Sequence, residues 1–162
     1  MPFALRAAVP ADAPAIVGLI KELANYERLA HEARPDADAL ANHMRRHASP
    51  RVEAIVAIDT DTSEAIGFAL FFPNYSTFLT GWGIYLEDLY VQPAYRGLGV
   101  GLALLRMVAA LAIERGCERL DWAVLDWNDL AISFYRKIGA TPMKDWVAMR
   151  LAGDSLTAFA SE

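Results

Sequence analysis

Three glycines in five residues, Gly97, Gly99 and Gly101, with Arg96 just before them, form the stretch of this chain best suited to chemistry. A turn stripped of side chains lets consecutive backbone N–H groups converge on an anion, and a helix starting there adds the positive end of its dipole. Arg96 brings a permanent positive charge beside them. Spacing excludes two phosphate cradles. A nucleotide P-loop needs Gly-x-x-x-x-Gly-Lys followed by Ser or Thr, and no lysine here precedes either residue. A dinucleotide fingerprint needs Gly-x-Gly-x-x-Gly, and Leu102 and Leu104 stand where its last glycine would fall. What fits is Arg-x-x-Gly-x-Gly; on three glycines alone, a strand-to-helix turn of purely structural use competes with an anion site. Glu87 is the second candidate. Strand alternation sets Glu87 and Leu89 on one face and Leu86 and Asp88 on the other, so a carboxylate projects from an otherwise apolar strand. Unpaired, it would suit a wet or cation-filled cleft.

The elements that must position these residues follow from periodicity. A strand is expected at 3–8, then a helix capped by Asp12 with Pro14 in its first turn and Ile16, Leu19, Ile20 and Leu23 as its apolar stripe, ending near Tyr26 and Glu27. A second helix is expected from Asp36 to about His47, stopped by Ser49 and Pro50. Runs at 52–58 and 65–72, joined by a polar turn, read as an antiparallel hairpin. Residues 73–83 read as a loop too aromatic for a spacer, whose Tyr75, Phe78 and Trp82 are expected first to cover the core, the alternatives being closure over a substrate or contact with a second subunit. The central strand, 84–91, feeds the glycine turn and a helix over 99–115 that Gly116 ends. A helical crossover makes the next strand, 120–125, parallel to the central one. Asn128 or Asp129 caps a helix over 130–138, Gly139 ends it, and two closing strands at 141–144 and 146–151 lead into a short tail.

At 162 residues, one domain spanning 1–162 is expected. With 55% apolar and 22% charged residues the chain is not disordered, and no apolar run is long enough to span a membrane. The N-terminal residues lack the basic-then-apolar pattern of a secretory leader, so a cytoplasmic protein is expected. A net charge of −5 disfavours nucleic acid as a partner and is compatible with a cationic substrate. His31, His43 and His47 lack carboxylate or cysteine companions at ligand spacing, so no metal is expected. Cys117, the single cysteine, reads as a buried spectator.

The Arg96 to Gly101 turn, set between strand and helix, resembles the GNAT superfamily of acyl-CoA-dependent N-acetyltransferases. Leu19-Ile-Lys-Glu-Leu-Ala-Asn-Tyr-Glu27, Tyr85-Leu-Glu-Asp-Leu-Tyr-Val91, Tyr95-Arg-Gly-Leu-Gly-Val-Gly101, Trp127-Asn128 and Ser133-Phe-Tyr-Arg-Lys137 narrow the likeness to its diamine acetyltransferase branch, the spermidine/spermine N1-acetyltransferases and their thialysine-acetylating relatives. The resemblance implies an α/β fold: a mixed, mostly antiparallel twisted sheet of six to seven strands, flanked by about four helices, with a parallel central strand pair. It implies acetyl-CoA as cosubstrate. The pyrophosphate would rest on Arg96, Gly97, Leu98, Gly99, Val100, Gly101 and Leu102, with pantetheine along the main chain of Leu89, Tyr90 and Val91. Asn128 would meet the pantetheine arm, with Asp129, Leu130 and Ala131 offering helix-start amides.

Tyr135 would approach the coenzyme sulfur and protonate the departing thiolate, and Glu87 would handle the amine. Tyr26 and Glu27 match substrate-contacting positions, Asp121, Trp122 and Ala123 would line the facing strand, and a homodimer is implied. Two departures make the resemblance speak less firmly for a polyamine than for acetyl transfer, and a compact amine such as thialysine would need fewer anionic contacts. Arg28, His31 and Arg34 accompany Glu27 and Glu32, and Asp121 stands where the human-type enzyme has histidine. The competing readings are an acetyltransferase for a protein or antibiotic amine, and a CoA-binding regulatory module without turnover.

Overall fold

Runs of β-branched, aromatic and small apolar residues in the first three quarters of the chain build one five-stranded sheet in chain order: β1 (Phe3–Ala7), β2 (Glu53–Asp59), β3 (Ala65–Ser76), β4 (Gly81–Val91) and β5 (Leu120–Trp122). Neighbours are antiparallel except β4 and β5, which are parallel, as a helical crossover between them requires. The computed structural model describes residues 2–161, and the chain divides into two units, Met1–Ala123 and Val124–Glu162. The sheet belongs to the first.

Alternation along β2 and β3 sorts the core onto two faces. Ala54, Val56, Phe68, Leu70 and Tyr90 form a buried cluster with Ile16 and Leu19 of α1 (Ala13–Tyr26) and Met44 of α2 (Ala37–Met44). Their neighbours Ile55, Ala57, Ala69 and Phe71 are equally buried on the other face. There α3 (Val100–Glu114) packs on the strands through Val100, Leu104, Leu105 and Val108. Each fully buried Phe or Ile on these faces contributes about 1.5–3 kcal/mol. Asp36 caps α2 by accepting from Ala39 N at 2.7 Å. Asp12 occupies the cap position of α1, but its carboxylate is taken by Arg6, at 2.7 Å to each oxygen, and by Val9 N at 2.8 Å.

Four sequence expectations need correction. Residues 73–83 are no loop: β3 runs through Pro73 to Ser76 and β4 begins at Gly81, so the two close a hairpin. Its aromatics do not cover the core, since Phe78 is 90% exposed and Trp82, in edge contact with Tyr75, is 59% exposed. The sheet has five strands, not six or seven: β5 stops at Trp122, and residues 141–151 form no strand, because alternation alone does not supply a neighbouring edge to receive the hydrogen bonds. The expected tail folds as α5 (Gly153–Ala160), a fifth helix after α4 (Asp129–Lys137). Among the described residues no helix is long and apolar enough to cross a membrane.

Candidate active site

After β4 a 3₁₀ turn at Pro93–Tyr95 leads into a reversal at Gly97, with φ 76°, and Gly99, with φ 85°. A Cβ at either position would meet nothing within 4 Å, so glycine is needed here for the left-handed backbone rather than for room. Gly99 caps α3, and the first helical bond runs from Ala103 N to Gly99 O at 2.9 Å. Before it, the N–H groups of Gly97, Leu98, Gly99, Val100, Gly101 and Leu102 have no acceptor among the described residues. Six successive main-chain donors thus lie at the positive end of a 15-residue helix, an arrangement that favours negative charge. Tyr95 fixes the approach to the turn by donating to Asp59 Oδ2 at 2.8 Å.

The Arg96 side chain turns toward α1. Its Nε donates to Val91 O at 3.0 Å, and its guanidinium lies over the rings of Tyr26, at 4.7 Å, and Tyr90, at 5.6 Å. Beside this stack Glu22 accepts from the Tyr90 hydroxyl at 3.2 Å and from Gln92 Nε2 at 3.0 Å. The exit of α1 is therefore tied to the end of β4. That exit is a Schellman motif, with Leu29 N on Ala24 O at 2.8 Å and Arg28 N on Asn25 O at 3.1 Å, and it fixes the backbone that presents Tyr26 and Glu27.

β4 pairs with β3 along its whole length but with β5 only from Ile84 to Leu86. Among the described residues the outer edge of Glu87 to Val91 therefore pairs with no strand. Where β5 leaves, the register with β3 slips: Leu70 faces Asp88 and Phe71 faces Leu86, so Glu87 is the extra residue of a β-bulge. This overturns the alternation expected from sequence. Asp88 stands opposite Leu70 and in line with Tyr90, on the α1 face, and is mostly buried, whereas Glu87 is exposed. Burial, then the charges of Glu87 and Glu27, pushes the Asp88 carboxyl up to about 6. Burial also raises Glu27 above the usual carboxylate range. No hydrogen bond or ion pair engages the side chains of Glu27, Glu87 or Asp88 among the described residues.

The same face continues onto β5. Asp121 pairs with Tyr85, whose ring lies 5.4 Å from that of Phe72 and whose phenol is raised by burial, then by Glu87 and Asp121. Asp121 differs from the three unpaired acids: Arg119 Nε holds it at 2.8 Å and Asn74 Nδ2 at 3.1 Å. Trp122 pairs with Leu86 and so belongs to the α3 face, while Ala123 lies beyond the strand and is exposed. Sequence reasoning missed Asp88; the available signal was two adjacent carboxylates in an apolar strand. Among the described residues no three His, Cys, Asp or Glu side chains could hold a metal ion.

In the second unit Asn128 caps α4 by accepting from Ala131 N at 3.2 Å, and Asp129 adds a negative charge to the first turn. Leu130 is exposed and Ala131 partly covered. Tyr135 is half-buried on α4, its ring 5.3 Å from that of Phe134. Gly139, with φ 93°, follows the helix end, and Ala140 N returns to Tyr135 O at 3.0 Å.

Comparison with known proteins bears on the same residues. The profile of the acetyltransferase (GNAT) family matches residues 18–140. The thialysine N-epsilon-acetyltransferase of Mus musculus is 35% identical over 94% of this chain and 94% of its own. The L-ornithine N5-acetyltransferase of Arabidopsis thaliana is 48% identical over 57% of this chain and 40% of its own. Among solved structures, an integron cassette protein from the mobile metagenome of V. cholerae has a TM-score of 0.81 and 28% identity, covering 100% of this chain and 99% of that one. The matched span includes the strand, glycine turn and helix described above, and the chain belongs to the GNAT family of N-acetyltransferases, in its diamine acetyltransferase-like branch.

Proposed function

We propose that this protein moves the acetyl group of acetyl-CoA onto a small primary amine, a polyamine, a diamine or an amino acid with a side-chain amine such as thialysine, by direct attack with both substrates bound. The observation that carries the reading is a juxtaposition in the first unit. Six unsatisfied N–H donors at residues 97–102 end a strand whose open edge borders an unpaired anionic face. The donors and the open edge suit a phosphate-bearing, extended cosubstrate; the face suits an ammonium group. Thialysine and ornithine, in the names of two relatives, both carry a side-chain amine.

Acetyl-CoA supplies an activated thioester. The turn from Gly97 to Leu102 seats its diphosphate, and Leu89, Tyr90 and Val91 align the arm. On the family likeness of residues 127–137, Asn128 to Ala131 contribute to the same arm and Tyr135 protonates the thiolate. Tyr26, Glu27, Glu87 and Asp121 receive the amine, and the exposed carboxylate of Glu87 draws its positive charge to β4. A homodimer in the cytoplasm completes the reading. The test is to incubate the purified protein with acetyl-CoA and, separately, spermidine, putrescine, lysine, ornithine and thialysine, reading free thiol and product mass. Thiol release that requires an amine, with a product heavier by one acetyl group, is expected. Binding of acetyl-CoA without release for any amine would leave a regulatory module in its place.

A further inference from the structure

A Cβ at Gly83 would lie 2.5 Å from Asn74 Oδ1 and 3.2 Å from Arg119 Cγ, so the bare Gly83 lets both side chains close over β4 on its α1 face. They converge there on one oxygen of Asp121: Arg119 Nε donates to Oδ2 at 2.8 Å and Asn74 Nδ2 at 3.1 Å. Three groups are left over. Asp121 Oδ1 and the two terminal nitrogens of Arg119 have no partner among the described residues, and Asn74 Oδ1 is buried without a donor. The side chains of Arg119 and Asp121 are 41% and 39% exposed, so a ligand can reach both. A guanidinium fork matches a carboxylate, and a free carboxylate oxygen matches an ammonium group. Side by side they match the two charges of an α-amino acid.

The other end of this face offers negative charge alone, since no ion pair engages the side chains of Glu27, Glu87 or Asp88 among the described residues. Tyr85 joins the two ends: it pairs with Asp121 across the strands, and its phenol is raised by burial, then by Glu87 and Asp121. Two residues of strand and one strand spacing set Glu87 and Asp121 roughly 8 Å apart, comparable with the span of an extended ornithine or lysine. A polyamine of that length would instead bring a second ammonium group to Arg119, with no carboxylate to offset the repulsion.

We propose that Arg119 and Asp121, packed with Asn74 over Gly83, receive the α-carboxylate and α-ammonium groups of an amino acid whose side-chain amine lies at the acidic end of the face. They thereby select such amino acids over diamines and polyamines. The inference deepens the acetyl-transfer reading above and rests on it. Arg119 acts on the end of the substrate that does not react, so its effect belongs in KM for the amine.

The experiment measures kcat and KM for ornithine against putrescine and for lysine against cadaverine, pairs that differ by the α-carboxylate alone. Lysinamide, which lacks the carboxylate's charge, is the third comparison. Wild type, Arg119→Gln and Arg119→Lys are used, with thermal unfolding to confirm folding. In the wild type kcat/KM should be about 10- to 100-fold higher for each amino acid than for its diamine, and higher for lysine than for lysinamide. Arg119→Gln should remove that preference by raising KM for the amino acids and lowering it for the diamines, with KM for acetyl-CoA unchanged. Arg119→Lys should restore part of the preference, because it keeps the charge without the fork. Wild-type enzyme that uses putrescine and cadaverine as well as the amino acids would overturn the inference and leave acetyl transfer standing. Equal losses for amino acids and diamines in Arg119→Gln would do the same. Should Arg119→Gln fail to fold, lysine against lysinamide in the wild type decides alone: a preference for lysine supports the inference, and equal use removes it. Absence of transfer with any amine would instead overturn the functional reading, and the inference with it.

Discussion

The glycine turn presents main-chain donors, whereas the acidic face of β4 presents side chains. The turn residues Gly97, Leu98 and Gly99 are exposed, so their unsatisfied N–H groups stay hydrated until an anion arrives and little is lost in waiting. Asp88 and Glu27 are largely covered and repel each other, so the face carries an unfavourable term that a cation would relieve. The first region is a pre-formed, hydrated array of donors and the second an electrostatically loaded face. Damage to the turn should therefore appear as weaker coenzyme binding. Damage to the face should appear in amine kinetics, pH dependence and stability.

The largest effect should come from a residue that belongs to neither region. Tyr135→Phe is expected to lower kcat about 100-fold while the KM for acetyl-CoA stays within about twofold, because the hydroxyl is needed only as the thiolate forms. Steady-state kinetics with varied acetyl-CoA reads this, and equal weakening of both parameters would make Tyr135 a binding residue. Next is the load on the face itself. The Asp88 carboxyl is pushed from an ordinary 3.8 to about 6, so between those values the folded chain holds more protons than the unfolded one. Stability then falls as pH rises through that window and stays lower above it. Asp88→Asn should stabilise the protein by up to about 3 kcal/mol near pH 8 and by almost nothing near pH 3. Urea unfolding at the two pH values checks it, and equal gains at both would mean that no charge is stored there.

The contrast between the regions also governs how much of each is legible in the amino-acid sequence. Gly97 and Gly99 are legible because the turn between strand and helix holds them at φ 76° and 85°, where glycine is favoured. Asn128 before a helical pattern, and the parallel pairing of β4 with β5, follow from equally local rules. Asp88 is not legible. A single register slip between Leu70 and Phe71 re-aims the strand, and no residue type in β4 announces it. The β3–β4 hairpin is hidden by Pro73, Asn74, Gly81 and Gly83, which read as loop residues although Pro73 and Asn74 pair with Ile84 and Gly83. Residues 141–151 err the other way: Trp146, Val147 and Met149 have strand-like side chains, yet they are 69%, 79% and 89% exposed and form no strand.

Two smaller perturbations sharpen the contrast. Gly99→Val forces a β-branched residue into φ 85° at the cap of α3 and should disorder the donor array. The left-handed penalty of about 1–2 kcal/mol corresponds to roughly a tenfold rise in the KM for acetyl-CoA, with the amine KM little changed. A rise in the amine KM alone would mean that the turn does not seat the coenzyme. Arg96 is the finest test, since it adjoins the turn in sequence but stacks on Tyr26 and Tyr90. Arg96→Met keeps the length of the side chain and removes its charge, so it releases the exit of α1 from the end of β4. A partly exposed cation–π contact is worth about 0.5–1 kcal/mol, so the KM for the amine should rise about twofold to fivefold while that for acetyl-CoA stays unchanged. The reverse split would return Arg96 to the diphosphate and show that its stack on Tyr26 breaks when the coenzyme binds.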